Sequence, residues 1–564
     1  MQHGKNTVGI YYKIKNGENF AKLELAPIFN FRDFHSMNTN HNFEVSQEIK
    51  KNKIKLIIDK NIQNPIYMKL SEGKYIEHKN DVFYNMFYIE EEKRGFFPEE
   101  NHIVSGVFEV DIKPNEEKNI LFICSMEENI DDINYKDLIN SEIIRLKNIY
   151  KDSSLIDEKE SKTKEEQKKK ELAKLYLIAA DNFVVYRPTF GLHTLIAGYP
   201  WFLDWGRDTL IAFEGLLLVT KRYEIARDIL LTCTRDIKDG LIPNGYSEID
   251  NKPLYNSADA SLLLFEQVQK YIEYTDDHKF IKENIYPKLK LIIENYSEGI
   301  DLDDNNIYLD EDGLISSGTE FTQNTWMDAK YKNFAVTPRN GKVVEINALW
   351  YNSLKVMENL SKKYEKVGKR VASKKYADMA LKCKESFNAK FYNGRRRCLY
   401  DVLGDNKIRP NQLFALSLTY PVVEPTSEMA KNIINVVEKK LLNSYGLKTL
   451  SKGEENYVDR YEGDSFRRDM SYHQGITWTW LLGLYYNSLR NMKAFEKDRE
   501  KRKELTNKIN DFKAKVEKVF SKEIKDRGCV GSISELYDSR TPFLPKGAVA
   551  QAWSVAEVFR IIFG

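Results

Sequence analysis

Five short stretches of the sequence bring acids, tryptophans and amides together where a folded core would use aliphatic residues. They span 198–208, 255–260, 324–329, 471–475 and 532–538 and read GYPWFLDWGRD, YNSADA, NTWMDA, SYHQG and SISELYD. All five lie between helix-like segments or at their ends. Indole rings can stack on a sugar, and carboxyl groups beside them can act on its acetal bond. The stretches therefore favour glycoside chemistry.

Two carboxyl groups are the candidates for catalysis. Hydrolysis of a glycosidic bond uses one carboxyl to protonate the leaving oxygen and another to activate water or attack the sugar. Asp328 follows Trp326 and Met327, which can desolvate it and raise its pKa as a general acid requires. Glu535 lies in the last long loop, among small residues. On the residues alone, each is equally open to being an ordinary loop carboxylate.

A candidate sugar-binding turn precedes a predicted helix. Asp204 or Asp208 could accept hydrogen bonds from sugar hydroxyls while Arg207 fixes their orientation. Trp201 and Trp205 could stack on the sugar ring. The alternative is structural, with Asp208 capping the helix and pairing with Arg207, and with the tryptophans in the core. The spacing leaves both interpretations open.

Other polar residues stand where predicted helices begin. Asn256 and Asp259 lie about one helical turn apart, so both could face one opening. Glu345 opens another helix and could equally be a partner of the helix dipole. His473 and Gln474 open a further one, and a single histidine in such a place is more often structural than catalytic.

Motifs of other enzyme classes are missing from the sequence. The eight histidines form no H-x-x-x-H pair and no Cys/His cluster, which argues against a metal site. The sequence has no Walker A loop, no G-x-G-x-x-G after a strand and no G-x-S-x-G elbow. Phosphoryl transfer, dinucleotide redox chemistry and serine hydrolysis therefore lose support. We expect neither a metal nor a cofactor.

Charge and cysteine usage favour a cytoplasmic protein with a neutral substrate. The 86 basic and 84 acidic residues leave a net charge of +2, which gives no reason to expect nucleic acid or a membrane as a partner. No signal peptide is visible, and the most apolar run, 209–219, is too short for a membrane span. Five widely spaced cysteines are typical of free thiols in a reducing compartment. They are Cys124, Cys233, Cys383, Cys398 and Cys529.

The length of 564 residues predicts two domains, and the pattern changes along the chain accordingly. Residues 1–148 contain short runs rich in β-branched and aromatic residues, separated by turn clusters, which predicts a β-sandwich domain. Residues 149–171 are mostly charged or polar and predict a linker or solvated helix. Residues 172–564 are helical and carry all five motif stretches.

Twelve amphipathic segments make up the helical region. They span roughly 172–187, 208–220, 222–237, 257–274, 278–298, 343–364, 370–390, 410–417, 427–442, 471–490, 496–520 and 547–562. Short connections, such as 365–369, alternate with long ones, such as 299–342, and nearly every motif lies in or beside a long one. Long loops in compact domains are usually functional. The alternation predicts a mainly α fold, an (α/α)6 toroid whose long loops gather at one end.

Several longer strings resemble the glucosidase domain of bacterial and archaeal glycogen debranching enzymes, over roughly 175–564. They are GYPWF and WGRDT from 198, GLIPN from 240, YNSADA from 255, TWMDA from 325, TPRNGKVVEINALW from 337, RPNQ from 409, SYHQG from 471 and AQAWSVAE from 550. Their shared order makes a chance resemblance a poor explanation.

The resemblance implies an inverting amylo-α-1,6-glucosidase with Asp328 as the general acid and Glu535 as the general base. An inverting pair stands ~6.5–9.5 Å apart, which leaves room for water. The resemblance also implies a glucose pocket lined by Trp205, Arg207, Asp208, Asn256, Asp259, Glu345, His473 and Gln474. Further substrate contacts are expected from Trp201, Asp204, Tyr255, Trp326 and Trp553. The substrate would be glycogen or another branched α-glucan.

Two features depart from the family pattern. The β-domain resembles one that lacks its first strands, and no (β/α)8 segment like that of the eukaryotic enzyme is visible. We therefore expect the chain to remove the glucose stub that remains at an α-1,6 branch point after another enzyme has trimmed the branch. The alternatives are a glucoamylase- or trehalase-like exo-glycosidase on the same fold and a non-catalytic glucan-binding protein.

Overall fold

The computed structural model describes residues 1–564 except 34, 40–43, 62, 157–162, 248–249 and 366–370. The middle of the predicted linker and most of the predicted connection 365–369 therefore lie outside the described residues. The chain divides into two compact units, Met1–Ile149 and Tyr150–Gly564.

The first unit is rich in β-structure. Its strands are β1 (Thr7–Lys15), β2 (Ala21–Leu25), β3 (Ile28–Phe29), β4 (Val45–Lys50), β5 (Lys53–Ile58), β6 (Ile66–Leu70), β7 (Lys74–Phe87), β8 (Glu99–Ile112) and β9 (Glu117–Ser125). One antiparallel sheet has the order β1-β9-β6-β5-β4, and a second has β2-β8-β3 with β7 also paired to β8. Buried residues alternate with less buried ones along β5, as expected for a strand with one face on a core.

Side chains from both sheets pack into one hydrophobic core. Ile54 and Met68 come from the first sheet, whereas Phe108 and Val110 come from the second. The aromatic rings of Phe108 and Phe122 meet edge to face at 5.8 Å between centroids. Aromatic and β-branched residues in alternation thus explain why these segments form strands.

The second unit is mainly helical. The helices of the chain are α1 (Ile89–Lys93), α2 (Tyr135–Ser153), α3 (Lys164–Asp181), α4 (Gly206–Phe213), α5 (Tyr223–Arg235), α6 (Ala260–Thr275), α7 (His278–Phe280), α8 (Tyr286–Glu298), α9 (Val344–Tyr364), α10 (Val371–Lys390), α11 (Phe414–Ser417), α12 (Glu428–Lys440), α13 (Ser465–Tyr472), α14 (Leu481–Phe495), α15 (Arg499–Asp526) and α16 (Ala552–Phe563). Single π-helical turns extend α4 through Leu218 and join α7 to α8.

Short strand pairs occupy the long connections between these helices. They are β10 (Val184–Arg187), β11 (Leu192–Leu195), β12 (Gly198–Tyr199), β13 (Gly245–Tyr246), β14 (Pro253–Leu254), β15 (Tyr308–Leu309), β16 (Ile315–Ser316), β17 (Lys330–Tyr331), β18 (Phe334–Ala335), β19 (Tyr392–Asn393), β20 (Cys398–Leu399), β21 (Leu447–Lys448), β22 (Thr477–Trp478), β23 (Leu536–Tyr537), β24 (Pro545–Lys546) and β25 (Ala550–Gln551). β21 to β24 form a four-stranded sheet, and β12 pairs with β25.

Six helices contact one another in a closed cycle. The order is α4, α6, α9, α11, α14 and α16, and α16 contacts α4 again. Each residue of α16 from Ala552 to Ile562 is buried, as expected of a helix with neighbours on every side. Helices α3, α5, α8, α10 and α15 pack against members of the cycle. In α15, buried residues recur every three or four positions, which is the pattern of a helix with one exposed face.

Several predicted boundaries differ from the structure. The segment 172–187 is helical only to Asp181, and the β-branched residues from Val184 form β10 instead. The segment 471–490 is divided into α13, β22 and α14. Gly475 causes this break because it has a φ of +132°, and a Cβ there would lie 2.2 Å from the carbonyl oxygen of Val458. The β-rich region ends at Ser125, before α2 begins.

Candidate active site

The long connections meet at a cavity of about 300 Å³ in the second unit. Its lining joins residues more than three hundred positions apart in the sequence. It consists of Phe202, Trp205, Arg207, Asp208, Asn256, Gln323, Trp326, Asp328, Ala329, Asp469, Tyr472, Trp478, Glu535, Gln551 and Trp553. Both predicted catalytic carboxyls therefore line the same cavity, together with six of the predicted substrate contacts.

Tryptophans form the apolar part of this lining. The ring of Trp326 meets those of Trp478 and Trp480 edge to face, at centroid distances of 5.6 and 5.0 Å. Trp553 stacks on Trp480 at 5.4 Å. These rings are almost fully buried and form a packed apolar wall beside the carboxyls of the cavity.

Asp328 is bound to a buried arginine. Nη1 of Arg207 donates to Oδ2 of Asp328 at 2.9 Å, and Nε of Arg207 donates to both oxygens of Asp259 at 2.9 and 2.8 Å. The Asp328 side chain is 34% exposed, whereas that of Arg207 is almost fully buried. Burial raises the pKa of Asp328 and Asp259 raises it further, although Arg207 opposes both effects. Asp328 therefore keeps an accessible carboxyl in a fixed orientation.

Glu535 is buried and accepts two hydrogen bonds. The Tyr472 hydroxyl donates to Oε1, and the backbone N–H of Ala548 donates to Oε2 at 2.7 Å. Gly547 permits this close approach, because a Cβ there would lie 2.2 Å from Oε2. Burial raises the pKa of Glu535 to about 7, although both donors favour the ionised form. The carboxyl therefore titrates near neutral pH.

Asp208 is a third cavity carboxyl with an altered pKa. Burial raises its pKa to about 8 and outweighs the lowering by Arg207, and the charges of Asp328 and Glu535 raise it further. Nε2 of Gln551 donates to its Oδ1 at 3.1 Å. Asp208 does not cap the helix, because Trp205 occupies the N-cap position of α4, and the ion pairs of Arg207 are with Asp259 and Asp328.

Four predicted contacts lie behind the lining rather than in it. Asp259 is the buried partner of Arg207. Glu345 binds the buried Arg339, whose Nη2 donates to Oε2 of Glu345 at 2.5 Å. His473 is fully buried and stacks on Trp478 at 5.2 Å. These residues were expected in the pocket because they occur in motif strings, but their side chains support its walls.

Gln474 also lies behind the lining. Its Oε1 accepts from Nη2 of Arg409 at 2.9 Å, and its Nε2 donates to Oγ1 of Thr337 at 3.1 Å.

The remaining three predicted contacts lie outside the lining found in the described part of the chain. Asp204 accepts from Nη1 of Arg187 at 2.6 Å, and the Tyr255 hydroxyl donates to the backbone of Asp236. Trp201 is half-buried and directly precedes Phe202.

Sequence reasoning missed seven lining residues. They are Phe202, Gln323, Ala329, Asp469, Tyr472, Trp478 and Gln551. Tyr472 and Gln551 stand inside or beside the motif strings, so the strings were a sufficient signal for them. Asp469 had none, because it lies outside the motif strings and in a stretch that the sequence pattern assigns to a connection, before the predicted segment 471–490. Across the described residues, the structure contains no group of three or more side chains suited to a metal ion.

The raised pKa of Glu535 predicts that Glu535→Gln is more stable than the wild type at alkaline pH. A carboxyl whose pKa is higher in the folded state stabilises the fold fully when the pH is below its unfolded-state pKa. For Glu535 this stabilisation is lost as the pH rises through about 7. Glutamine cannot ionise, so the variant does not lose stability in this way. We expect an advantage roughly 2 kcal/mol larger at pH 8 than at pH 5, measured by denaturant unfolding. The control is Glu283→Gln, a change at an exposed carboxyl, whose effect on stability should be the same at both pH values. If the advantage of Glu535→Gln is also the same at both, the prediction is wrong.

The chain is similar to known proteins in sequence and in fold. Residues 178–560 match the family model "Amylo-alpha-1,6-glucosidase", and residues 1–119 match "Glycogen debranching enzyme N terminal". The glycogen debranching enzyme of Saccharomyces cerevisiae (strain ATCC 204508 / S288c) is 24% identical over 395 residues, which cover 54% of this chain and 26% of that protein. The match thus spans about a quarter of the relative's length.

A solved structure shares the fold. It is a bacterial glucoamylase complexed with acarbose, with 13% identity and a TM-score of 0.55 over 91% of this chain and 73% of that one. At that identity the likeness concerns the fold alone. The family match covers more than half of the chain, so the chain belongs to the amylo-alpha-1,6-glucosidase family and carries an N-terminal region of the glycogen debranching enzyme type.

Proposed function

We propose that this protein is an inverting glycoside hydrolase that releases glucose from α-1,6 branch points of glycogen and limit dextrin. The observation that carries the proposal is the pair of carboxyls Asp328 and Glu535, which line one tryptophan-walled cavity and both have raised pKa values. A buried or half-buried acid and base in one small cavity is what hydrolysis of a glycoside needs. The family match supports the choice of substrate.

In the proposed reaction, Asp328 donates a proton to the oxygen that links the glucose to the main glucan chain. Glu535 takes a proton from a water molecule as that water attacks the anomeric carbon, so the bond to the glucan breaks and the configuration inverts. The donors Tyr472 and Ala548 favour the ionised form of Glu535, which suits a base. Arg207 holds Asp328 in place through its second partner, Asp259.

The architecture proposed for this function is an (α/α)6 toroid preceded by a β-sandwich, with 1–148, 149–171 and 172–564 as sandwich, linker and catalytic domain. The cycle from α4 to α16 supports the toroid, because its six members would be the inner helices. The single core shared by two antiparallel sheets supports the sandwich. The fold similarity to a bacterial glucoamylase is also consistent with the toroid.

The direct test is glucose release by the wild type from phosphorylase limit dextrin, compared with isomaltose, maltose and trehalose. The proposal requires release from limit dextrin, with β-glucose as the first product seen by polarimetry or NMR. A second candidate, exo-hydrolysis of α-1,4 bonds, is favoured by the glucoamylase-like fold. Cleavage of maltose or trehalose with no action on limit dextrin would replace the α-1,6 proposal. Binding of glucan with no release from any substrate would point to a non-catalytic protein.

The hydrogen bond from Tyr472 to Glu535 predicts a shift in the pH profile. Tyr472→Phe keeps the ring that contacts Trp478 but removes a donor that lowers the pKa of Glu535. The base would then ionise at higher pH. We expect the acid limb of kcat/KM, with its midpoint near pH 7 in the wild type, to move upwards and activity at pH 6 to fall about 10-fold.

A matched control is Tyr485→Phe, whose hydroxyl donates to Glu438 at 2.6 Å away from the cavity lining. It should leave the pH profile unchanged. If Tyr472→Phe lowers activity by the same factor at every pH, its hydroxyl does not act through the ionisation of Glu535.

A further inference from the structure

A second, larger cavity adjoins the first. It has a volume of about 910 Å³, and its lining comes from residues 256–340. Asn256 and Gln323 belong to both linings, so the two cavities are neighbours. We propose that this groove binds the α-glucan chain from which the glucose is released, with Phe321 as a platform for one of its sugar rings. This inference rests on the proposed function, because the groove would hold the polymeric part of the substrate of that function.

The groove suits a neutral polyhydroxylated ligand. Amide and hydroxyl side chains dominate its lining, including Asn256, Asn305, Thr322, Gln323, Asn324 and Asn333. Three lining carboxylates, Asp303, Asp304 and Glu320, outnumber the one lysine found there among the described residues, Lys330. Phosphorylated ligands and nucleic acids would be repelled by this balance. Sugar hydroxyls can instead donate to and accept from the amides.

Two lining amides have buried oxygens that accept no hydrogen bond from the described protein residues. They are Oδ1 of Asn256 and Oδ1 of Asn305. Asn305 is 1% exposed, and its Nδ2 donates to the carbonyl oxygen of Tyr255 at 2.6 Å, so its amide is held in one orientation. A buried acceptor without a donor is costly, and a sugar hydroxyl would satisfy it.

Phe321 is the one aromatic residue in the groove lining that the structure describes, and it is 67% exposed. Its turn is fixed by a hydrogen bond from the backbone N–H of Thr319 to Oγ1 of Thr322 at 2.7 Å. An exposed ring on a rigid turn among amides is poorly explained by packing. It offers a preorganised face on which a sugar can stack.

The same segment leads from the groove to the proposed general acid. Phe321 lines the groove, Gln323 lines both cavities, and Asp328 lines the inner one. A glucan chain in the groove would therefore present its branch glucose to the inner cavity, with the bond to be broken near Asp328. This places the leaving chain on the side from which its oxygen must be protonated.

The test compares a long and a short substrate. Phe321→Ala should lower kcat/KM about 10-fold for a maltoheptaose that carries one α-1,6-linked glucose and less than about 2-fold for isomaltose, which does not reach the groove. Phe321→Tyr keeps the ring and should keep both rates. Equal losses on both substrates, or no loss on the long one, would overturn the proposal.

A separate measurement covers the case in which the wild type releases glucose from neither substrate, so that the proposed function fails. Binding of unbranched maltoheptaose is then measured by calorimetry on the wild type and Phe321→Ala. A Kd raised about 10-fold in the variant would support the groove as a glucan site. Equal Kd values, or no binding by the wild type, would overturn it.

Discussion

Glucose release from limit dextrin falls by ~10³-fold or more in Asp328→Asn and in Glu535→Gln, if these side chains are the acid and base. Asparagine cannot donate a proton as the acid does, but its oxygen can still accept from Nη1 of Arg207. Glutamine cannot take a proton from water, but it can still accept from Tyr472 or Ala548. Both variants should therefore fold, and circular dichroism should match that of the wild type.

A substrate with a good leaving group separates the two roles. α-Glucosyl fluoride needs little help from an acid, because fluoride leaves as an anion. Asp328→Asn should retain activity on it, whereas Glu535→Gln should not, since the water must still be deprotonated. The reverse pattern would show that the roles are exchanged. Asp469→Asn, a change at another half-buried carboxyl of the lining, is the matched control and should lose far less activity.

Arg207→Met lowers the free energy of unfolding by about 3–5 kcal/mol at pH 8, because it leaves Asp259 and Asp328 without their buried cation. Arg207 lowers the pKa of Asp328, so its removal raises that pKa further. A carboxyl with a raised folded-state pKa loses its stability contribution as the pH rises. The deficit should therefore be smaller at pH 5 than at pH 8, and denaturant unfolding at both pH values measures it.

The control is Lys431→Met, which breaks an exposed pair with Glu428 and should change stability by less than about 1 kcal/mol. A deficit for Arg207→Met that is as small as this would mean that the pair with Asp259 contributes little to folding. A deficit that grows as the pH falls would contradict the assigned electrostatics.

The sequence was informative where residue types have strong local preferences. The mainly helical region and the β-rich first region follow from periodicity, and Asp328 and Glu535 line one cavity as expected from their motif strings. Element boundaries were less predictable when one residue decides them. Gly475 interrupts a continuous helical pattern where the carbonyl of Val458 approaches closely, and Val458 lies seventeen positions earlier, outside a local window.

Which motif residues touch the cavity was also beyond the sequence. Glu345 and His473 look like polar residues at helix starts, but the buried charge of Arg339 and the ring of Trp478 hold them in the wall. Asp469 lines the cavity from within α13, most of which precedes the predicted segment 471–490. Side-chain direction depends on tertiary packing, and a string of letters carries no such information.

The closed cycle of helices has a consequence for how the protein is made. The contact of α16 with α4 and the pairing of β25 with β12 join segments that leave the ribosome far apart in time. Until Trp553 has emerged, the cavity lacks part of its wall and the inner helices lack a neighbour. Such distant contacts make folding slow and expose apolar surface during synthesis. The nascent chain therefore completes the cavity wall only in a late step, after α4 and the other inner helices have already emerged.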